Sequence, residues 1–305
     1  MRHVPVLLKE AVRSLDIKDG GVYVDGTFGA GGYSREILSQ NPKASVIAID
    51  RDPTAVQAGQ DLVREFSPRL RLIEGRFGDL ASLISQPVDG IVLDIGVSSM
   101  QIDQPERGFS FQKDGALDMR MGNSDLCAAD VVNTFKAEDI ADILFRYGEE
   151  RHARRIAQKI VEVRQHTPFQ TTLQLAECIH SVMPHKKGDI DSATRTFQAL
   201  RIYVNDELGE LERVLQAALP LLKTGGRLSV VTFHSLEDRI VKQFFKSVTE
   251  EKRHINKYAP ADTTEKPAFS ILTPKPVLPS DEEIVQNPRS RSAKLRTLIK
   301  NRGNE

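Results

Sequence analysis

Two short runs place acidic, hydroxyl and imidazole side chains where chemistry could be done. "DIGVSSMQ" (94–101) offers Asp94, Ser98 and Gln101, and "FHSLEDR" (233–239) offers His234, Ser235, Glu237 and Asp238. Each follows an apolar, β-branched run, so each lies where a strand of an open α/β sheet delivers side chains to a ligand crevice. A carboxylate, a hydroxyl and an imidazole in such a crevice could accept or relay a proton, which makes Asp94, Ser98 and His234 the candidate catalytic residues. The same residues have other uses. Ser98 suits a helix N-cap, Ser235 with Glu237 and Asp238 suits a first helical turn, Asp94 could serve a cofactor alone, and a histidine often only packs. No Gly-x-Ser-x-Gly elbow occurs, which argues against a serine-hydrolase nucleophile.

A third run, "VYVDGTFGAGGYS" (22–34), passes from a strand into a glycine loop with Asp25 at its mouth. A dinucleotide fingerprint would need a third glycine where Ser34 stands, and no Gly-Lys-Ser/Thr follows to make a P-loop. Asp25 would repel a diphosphate but attract the cationic end of S-adenosyl-L-methionine, directly or through water. Gly29, Gly31 and Gly32 let the backbone approach such a ligand closely. Asp50 closes the next strand, 19 positions after Gly31, where an acid can accept hydrogen bonds from ribose hydroxyls. Phe77 closes the third strand, placed either for adenine or for the core.

The elements that must hold these residues follow from the hydrophobic pattern. Strands are expected at 22–25, 44–52, 69–77 and 88–96, the last entered by a turn at Asp89-Gly90, with helices "YSREILSQ" and "TAVQAGQDLVREF" between them. These are continuous apolar runs, as in a parallel sheet covered on both faces. The next strand-like run, "GGRLSVVTFH" (225–234), comes about 130 residues later, far beyond what a βαβ crossover needs. The intervening pattern is helical: "AEDIADILFRYG" with its apolar stripe, "ARRIAQKIVEVRQ" up to Pro168, "TLQLAECIHSVM" capped by Thr171 and Gln174, and one long helix from Ser192 to Leu222. The expected architecture is therefore an α/β, Rossmann-like sheet formed by 1–103 and 206–305, with an all-helical insertion at 104–205. "KPAFSILTPKPVLPSDEE" reads as a loop or edge hairpin and "SAKLRTLIK" as a closing strand.

Composition narrows the class. Forty-two basic residues balance 42 acidic ones among 305, so net charge by itself points to neither nucleic acid nor membrane. Cys127 and Cys178 form no CxxC pair, which argues against a zinc knuckle or disulfide scaffold, and no metal site is expected. Without a signal-peptide core or a bilayer-length apolar run, a cytoplasmic protein with no membrane partner is expected. Positive charge is local. Arg154 and Arg155 lie in "ERHARRIAQK", Lys186 and Lys187 in "HKKG", and Arg289, Arg291 and Arg296 in the acid-free "NPRSRSAKLRTLIKNR". These are the candidate phosphate contacts for an RNA.

Seven separated motifs, "VDGTFGAGGYS", "DIGVSSMQID", "ERGFSF", "LDMRM", "ALRIYVNDEL", "FHSLEDR" and "NPRSRSAKLR", occur in one order along the chain. Together they resemble the bacterial 16S ribosomal RNA cytosine-N4 methyltransferases, the RsmH/MraW family. The resemblance covers nearly the whole chain, including the insertion. It implies a class I methyltransferase fold and S-adenosyl-L-methionine contacts at Gly31, Gly32, Tyr33, Asp50, Phe77, Asp94 and Gln101. Tyr33 departs from the family's usual histidine. It also implies methylation of the exocyclic N4 of a cytidine in the decoding region of 16S rRNA, on the 30S subunit. The loop "DIGV" lacks the prolines and aromatic of DNA amino-methyltransferases, leaving Phe109 and Phe111 as candidates for base stacking or loop packing. The rival readings are an NAD-type dehydrogenase, a methyltransferase of protein or small molecules, and a ribosome assembly factor that binds S-adenosyl-L-methionine without turnover. Monomer and homodimer both remain open.

Overall fold

A computed structural model describes residues 5–122, 124–184, 191–250 and 267–302. The chain divides into two compact units, one formed by residues up to Gly96 and from Leu208 onward, the other by Val97–Glu207.

The first unit is built on a seven-stranded sheet: β1 Val22–Asp25, β2 Ser45–Asp50, β3 Leu70–Glu74, β4 Val88–Asp94, β5 Leu222–Thr232, β6 Phe269–Ile271 and β7 Lys294–Lys300. Their order is β3-β2-β1-β4-β5-β7-β6. The first five are parallel, and β7 enters antiparallel to both β5 and β6. This is the expected Rossmann-like α/β sheet. Val24, Ile91, Leu93 and Val230 are fully buried, which is why the central strands read as unbroken apolar runs. From β1 the chain winds outward to β3, then returns to lay β4 on the other side of β1. That reversal is the topological switch point, where an open sheet splits to admit a ligand at its carboxyl edge. Asp25 and Asp94 end the two strands that flank it.

Three local expectations give way. Asp89 and Gly90 lie inside β4, at a register irregularity against β5, rather than in a turn before it. The helix expected over 54–66 is two short ones, Pro53–Ala58 and Gln60–Glu65, meeting at Gly59. A side chain at Gly59 would come within 2.4 Å of the Phe28 ring, so close packing beneath the glycine loop excludes a longer residue there. The single long helix is likewise two, Ala193–Asn205 and Glu207–Leu221. Asp206 stands between them in a left-handed conformation, φ 51°, which Asp tolerates better than most residues.

The second unit is helical. Ala128–Thr134, Ala137–Gly148, Ala153–Arg164, Thr172–Val182 and Ala193–Asn205 enclose a core that includes Ile140, Leu144, Ile156, Ile160, Leu175, Ile179 and Leu200. The Thr171–Gln174 capping box forms as expected. Phe111 packs on Phe197 with ring centroids 4.8 Å apart, and the Arg107 guanidinium lies over Phe109. Both phenylalanines line this core. Among the described residues no helix is long and apolar enough to cross a membrane.

Candidate active site

The glycine loop is shaped by the acids around it. Asp25 is fully buried. One of its oxygens accepts from the Thr27 N–H at 3.3 Å, the other from the Ser34 N–H at 3.2 Å and the Ser34 hydroxyl at 2.7 Å. Asp50 accepts from the Gly29 N–H at 2.7 Å and the Asp52 N–H at 2.8 Å. The loop is thus tied to the ends of β1 and β2 by the protein's own hydrogen bonds. Gly31 turns it into the helix Gly32–Gln40 with φ 77°. A Cβ there would lie 2.5 Å from Leu62 and 2.8 Å from the Phe28 ring, so only glycine fits both the dihedral and the space. Helix geometry leaves the first-turn N–H groups without partners inside the helix, and the Asp25 carboxylate already takes that of Ser34. This helix end suits a carboxylate.

Tyr33 faces inward. It is 2% exposed, and its hydroxyl donates to the Val6 carbonyl. The segment Pro5–Leu7 therefore lies against the start of this helix, held also by the Leu7 N–H donating to Glu283 at 2.7 Å. The departure from histidine is used to fasten the N-terminal segment.

Asp94 ends β4. Its backbone N–H donates to the Thr27 hydroxyl at 2.7 Å, while its side-chain Oδ1 is enclosed and has no hydrogen-bond partner. Burial pushes its carboxyl well above the usual carboxylate range, and the nearby Asp25, Glu237 and Glu283 add to the effect. Burial likewise raises Asp25, to about 6, against the pull of its Ser34 and Thr27 hydrogen bonds. Asp50 is also raised by burial, the Asp52 and Gly29 N–H bonds opposing. Acidic groups crowd this end of the sheet, and each works against its neighbours' ionisation.

The remaining candidates have structural duties. His234 is the N-cap of Ser235–Thr249, in a reciprocal capping box with the buried Glu237. Glu237 also accepts from the Phe233 N–H at 2.7 Å. In the helical unit, Ser98 caps Ser99–Asp103 through the Gln101 N–H, and the Gln101 side chain returns a bond from the Ser98 N–H at 3.1 Å. Phe77 sits in a short 3-10 turn after β3, half-buried against the sheet core.

Arg296 overturns an expectation. It is 8% exposed in β7, and its Nε lies 2.7 Å from Asp238. β7 lies between β5 and β6 and is buried without a break from Leu295 to Leu298, so Arg296 is enclosed, and a charge there needs a partner. Burial would raise Asp238, but its bonds to Arg296 and Lys294 outweigh that and hold it below the usual range. Arg296 is a structural cation and is withdrawn as a phosphate contact. Arg154, Arg155, Arg289 and Arg291 are exposed. Lys186 and Lys187 lie outside the described residues. Thr27, Ser34 and Glu283 were missed: a hydroxyl in a glycine loop and an acid in a distant helix carry no periodic signal. Among the described residues no group of three or more His, Cys, Asp or Glu has the arrangement of a metal site.

Residues 1–301 match the profile of the MraW methylase family. The chain belongs to that family. Among relatives, the ribosomal RNA small subunit methyltransferase H of Methylorubrum extorquens (strain ATCC 14718 / DSM 1338 / JCM 2805 / NCIMB 9133 / AM1) is 55% identical over 303 residues, covering 97% of this chain and 86% of the relative. The protein of that name from Paramagnetospirillum magneticum is also 55% identical, over 98% and 95%. A solved rRNA methylase from Streptococcus thermophilus aligns over 99% of both chains at 12% identity and a TM-score of 0.43, a likeness too weak to carry weight beside the family match. The methylase takes its methyl group from S-adenosyl-L-methionine.

Proposed function

We propose that this methylase transfers a methyl group to the exocyclic N4 of a cytidine in the decoding region of small-subunit 16S ribosomal RNA. The relatives named above are methyltransferases of small-subunit rRNA. The cytosine N4 target rests on the family motifs in the sequence.

The observation that carries the reading is the enclosed, unpartnered Oδ1 of Asp94 among the buried carboxylates Asp25 and Glu237 and the half-buried Glu283. So many acids fit a cationic ligand and an amino-group substrate, and disfavour a diphosphate. Bound S-adenosyl-L-methionine supplies an electrophilic methyl group. Gly31, Gly32 and the backbone of Tyr33 would hold its amino-acid portion, Asp50 its ribose and Phe77 its adenine. Gln101 and Asp94 are the further contacts that the motifs imply, with Asp25 acting through the loop it organises.

Cytosine N4 is conjugated with the ring and weakly nucleophilic. Asp94 Oδ1 is an acceptor in search of a donor, and an amino N–H held there would have its lone pair turned toward attack. A carboxyl pushed upward in pKa is, in its ionised form, the stronger base. His234 and Ser98 already act as helix caps, so Asp94 is the principal catalytic candidate and those two are secondary. The RNA would be gripped by the helical unit through Arg154 and Arg155 and, in the sheet unit, by Arg289 and Arg291.

The test is incubation with tritiated S-adenosyl-L-methionine and either naked 16S RNA or 30S particles from a strain lacking the gene, followed by nucleoside analysis. Label in N4-methylcytidine is expected. Label only in protein, in another nucleoside or nowhere overturns the reading.

A further inference from the structure

One buried carboxylate has no part in the chemistry above. Glu210, on the helix Glu207–Leu221, is 0% exposed. Its Oε1 lies 2.9 Å from Arg51 Nη1, and that arginine side chain is itself only 9% exposed. The same oxygen lies 3.7 Å from Arg76 Nη1. Arg51 directly follows Asp50, and Arg76 directly precedes Phe77. The two turns are already joined once, by the Gly75 N–H donating to the Asp50 carbonyl at 2.9 Å. Gly78 packs against the same residue: a Cβ there would stand 3.2 Å from both Glu210 Cα and Cγ. One carboxylate thus reaches both turns through the arginines next in sequence to the ribose acid and to the adenine aromatic.

Stability is a poor explanation for this arrangement. Taking a carboxylate and a guanidinium out of water costs several kcal/mol, and well-packed apolar residues of the same size often do as well or better. What an apolar pair cannot do is draw two chain turns toward one buried charge, here through guanidinium nitrogens 2.9 Å and 3.7 Å from the same carboxylate oxygen.

We propose that Glu210 is the positioning residue of the adenosine half of the site, holding the ends of β2 and β3 in register so that Asp50 and Phe77 meet the nucleoside together. This rests on the reading of Asp50 and Phe77 as adenosine contacts. Glu210 touches no substrate and acts through Arg51 and Arg76.

The test uses calorimetry with S-adenosylhomocysteine and with 5′-methylthioadenosine, which keeps the adenosine half alone. The variants are Glu210→Gln, the double Arg51→Met/Glu210→Met and, as a control, Asp50→Ala. Glu210→Gln is expected to weaken both ligands by about tenfold, the equivalent of about 1.4 kcal/mol. Turnover at saturating methyl donor should stay within roughly twofold, because a positioning loss in binding need not reach the chemical step. Glu210→Gln leaves a buried arginine uncompensated and could unfold. The double variant removes both charges, so its thermal midpoint should match or exceed that of the parent while the tenfold loss persists. Parent-like affinity in a folded double variant makes the pair merely structural and overturns the proposal. So does a loss seen with S-adenosylhomocysteine but not with 5′-methylthioadenosine. An unfolded double variant overturns it too, by showing that the pair holds the fold. If Asp50→Ala binds both ligands normally, the site reading itself fails, an outcome distinct from failure of the Glu210 variants alone.

Discussion

Asp25 and Asp50 end neighbouring parallel strands, and backbone N–H groups meet both: Thr27 and Ser34 for one, Gly29 of the glycine loop and Asp52 at the end of β2 for the other. Asp94, ending the strand on the opposite side of β1, has an enclosed Oδ1 that nothing meets. The two sides of the switch point thus use the same residue type differently. On the β1–β2 side, acids fold a loop whose bare backbone must approach a ligand. On the β4 side, an acid is held against the cost of burial with an acceptor atom unused. Unsatisfied buried groups in a folded protein call for a reason, and a reacting group is a strong one.

The largest effect should come from breaking the unused acceptor. Asp94→Asn keeps the shape and removes the proton acceptor, so single-turnover methylation should fall by at least about a hundredfold. Its thermal midpoint should hold or rise, since a carboxyl whose ionisation is opposed by burial and then by Asp25, Glu237 and Glu283 is replaced by a neutral amide. A rate within threefold of the parent would show that Asp94 serves only to bind.

Next is the pH signature of Asp25. Its folded pKa is raised from 3.8 to about 6, so the folded state binds this proton more tightly than the unfolded state. Stability from this group is therefore greatest below pH 3.8 and is lost as pH rises to about 6, a change of about 3 kcal/mol at most. Denaturant midpoints of the parent and of Asp25→Asn should converge or cross over that window. A constant offset between them would mean that Asp25 ionises normally. Asp50→Ala should matter less to stability and more to affinity. A carboxylate has about four acceptor directions, and two of Asp50's serve Gly29 and Asp52. Loss of the rest should weaken S-adenosylhomocysteine roughly ten- to hundredfold.

How far the sequence reveals this division depends on what kind of signal each residue leaves. The parallel sheet is legible because strands buried on both faces become continuous apolar runs, and the glycine loop because φ 77° beside Phe28 and Leu62 admits no other residue. The helical unit is legible from its stripes, although its compact boundaries fall at Gly96 and Glu207, where the sequence pattern had suggested 103 and 205. Where several residues compete for one duty, the pattern says less. His234 and Ser98 look reactive in a string of polar residues, yet their atoms cap helices. Arg296 belongs to a basic run, but its strand is covered on both faces and buries it against Asp238, 58 positions away. Glu210 sits in an amphipathic helix, and only the tertiary fold brings Arg51 and Arg76 to it.

The smallest effect concerns the helical unit, and it separates function from stability by sign. The helix Ala137–Gly148 begins with Glu138 and Asp139 and ends with Arg146, in accord with the helix dipole. The helix Ala153–Arg164 begins with Arg154 and Arg155, no acid and no side-chain cap. Neither arginine has an ion pair among the described residues. Cations there oppose the dipole by about 0.3–1 kcal/mol each, so the double variant Arg154→Gln/Arg155→Gln should melt slightly higher than the parent. If both contact phosphates, RNA affinity should fall several-fold and the dependence of log affinity on log salt should flatten by about 1.4, the value for two contacts on a single strand. A higher midpoint with an unchanged salt slope would leave these arginines as a solvated face and move the RNA grip to Arg289 and Arg291.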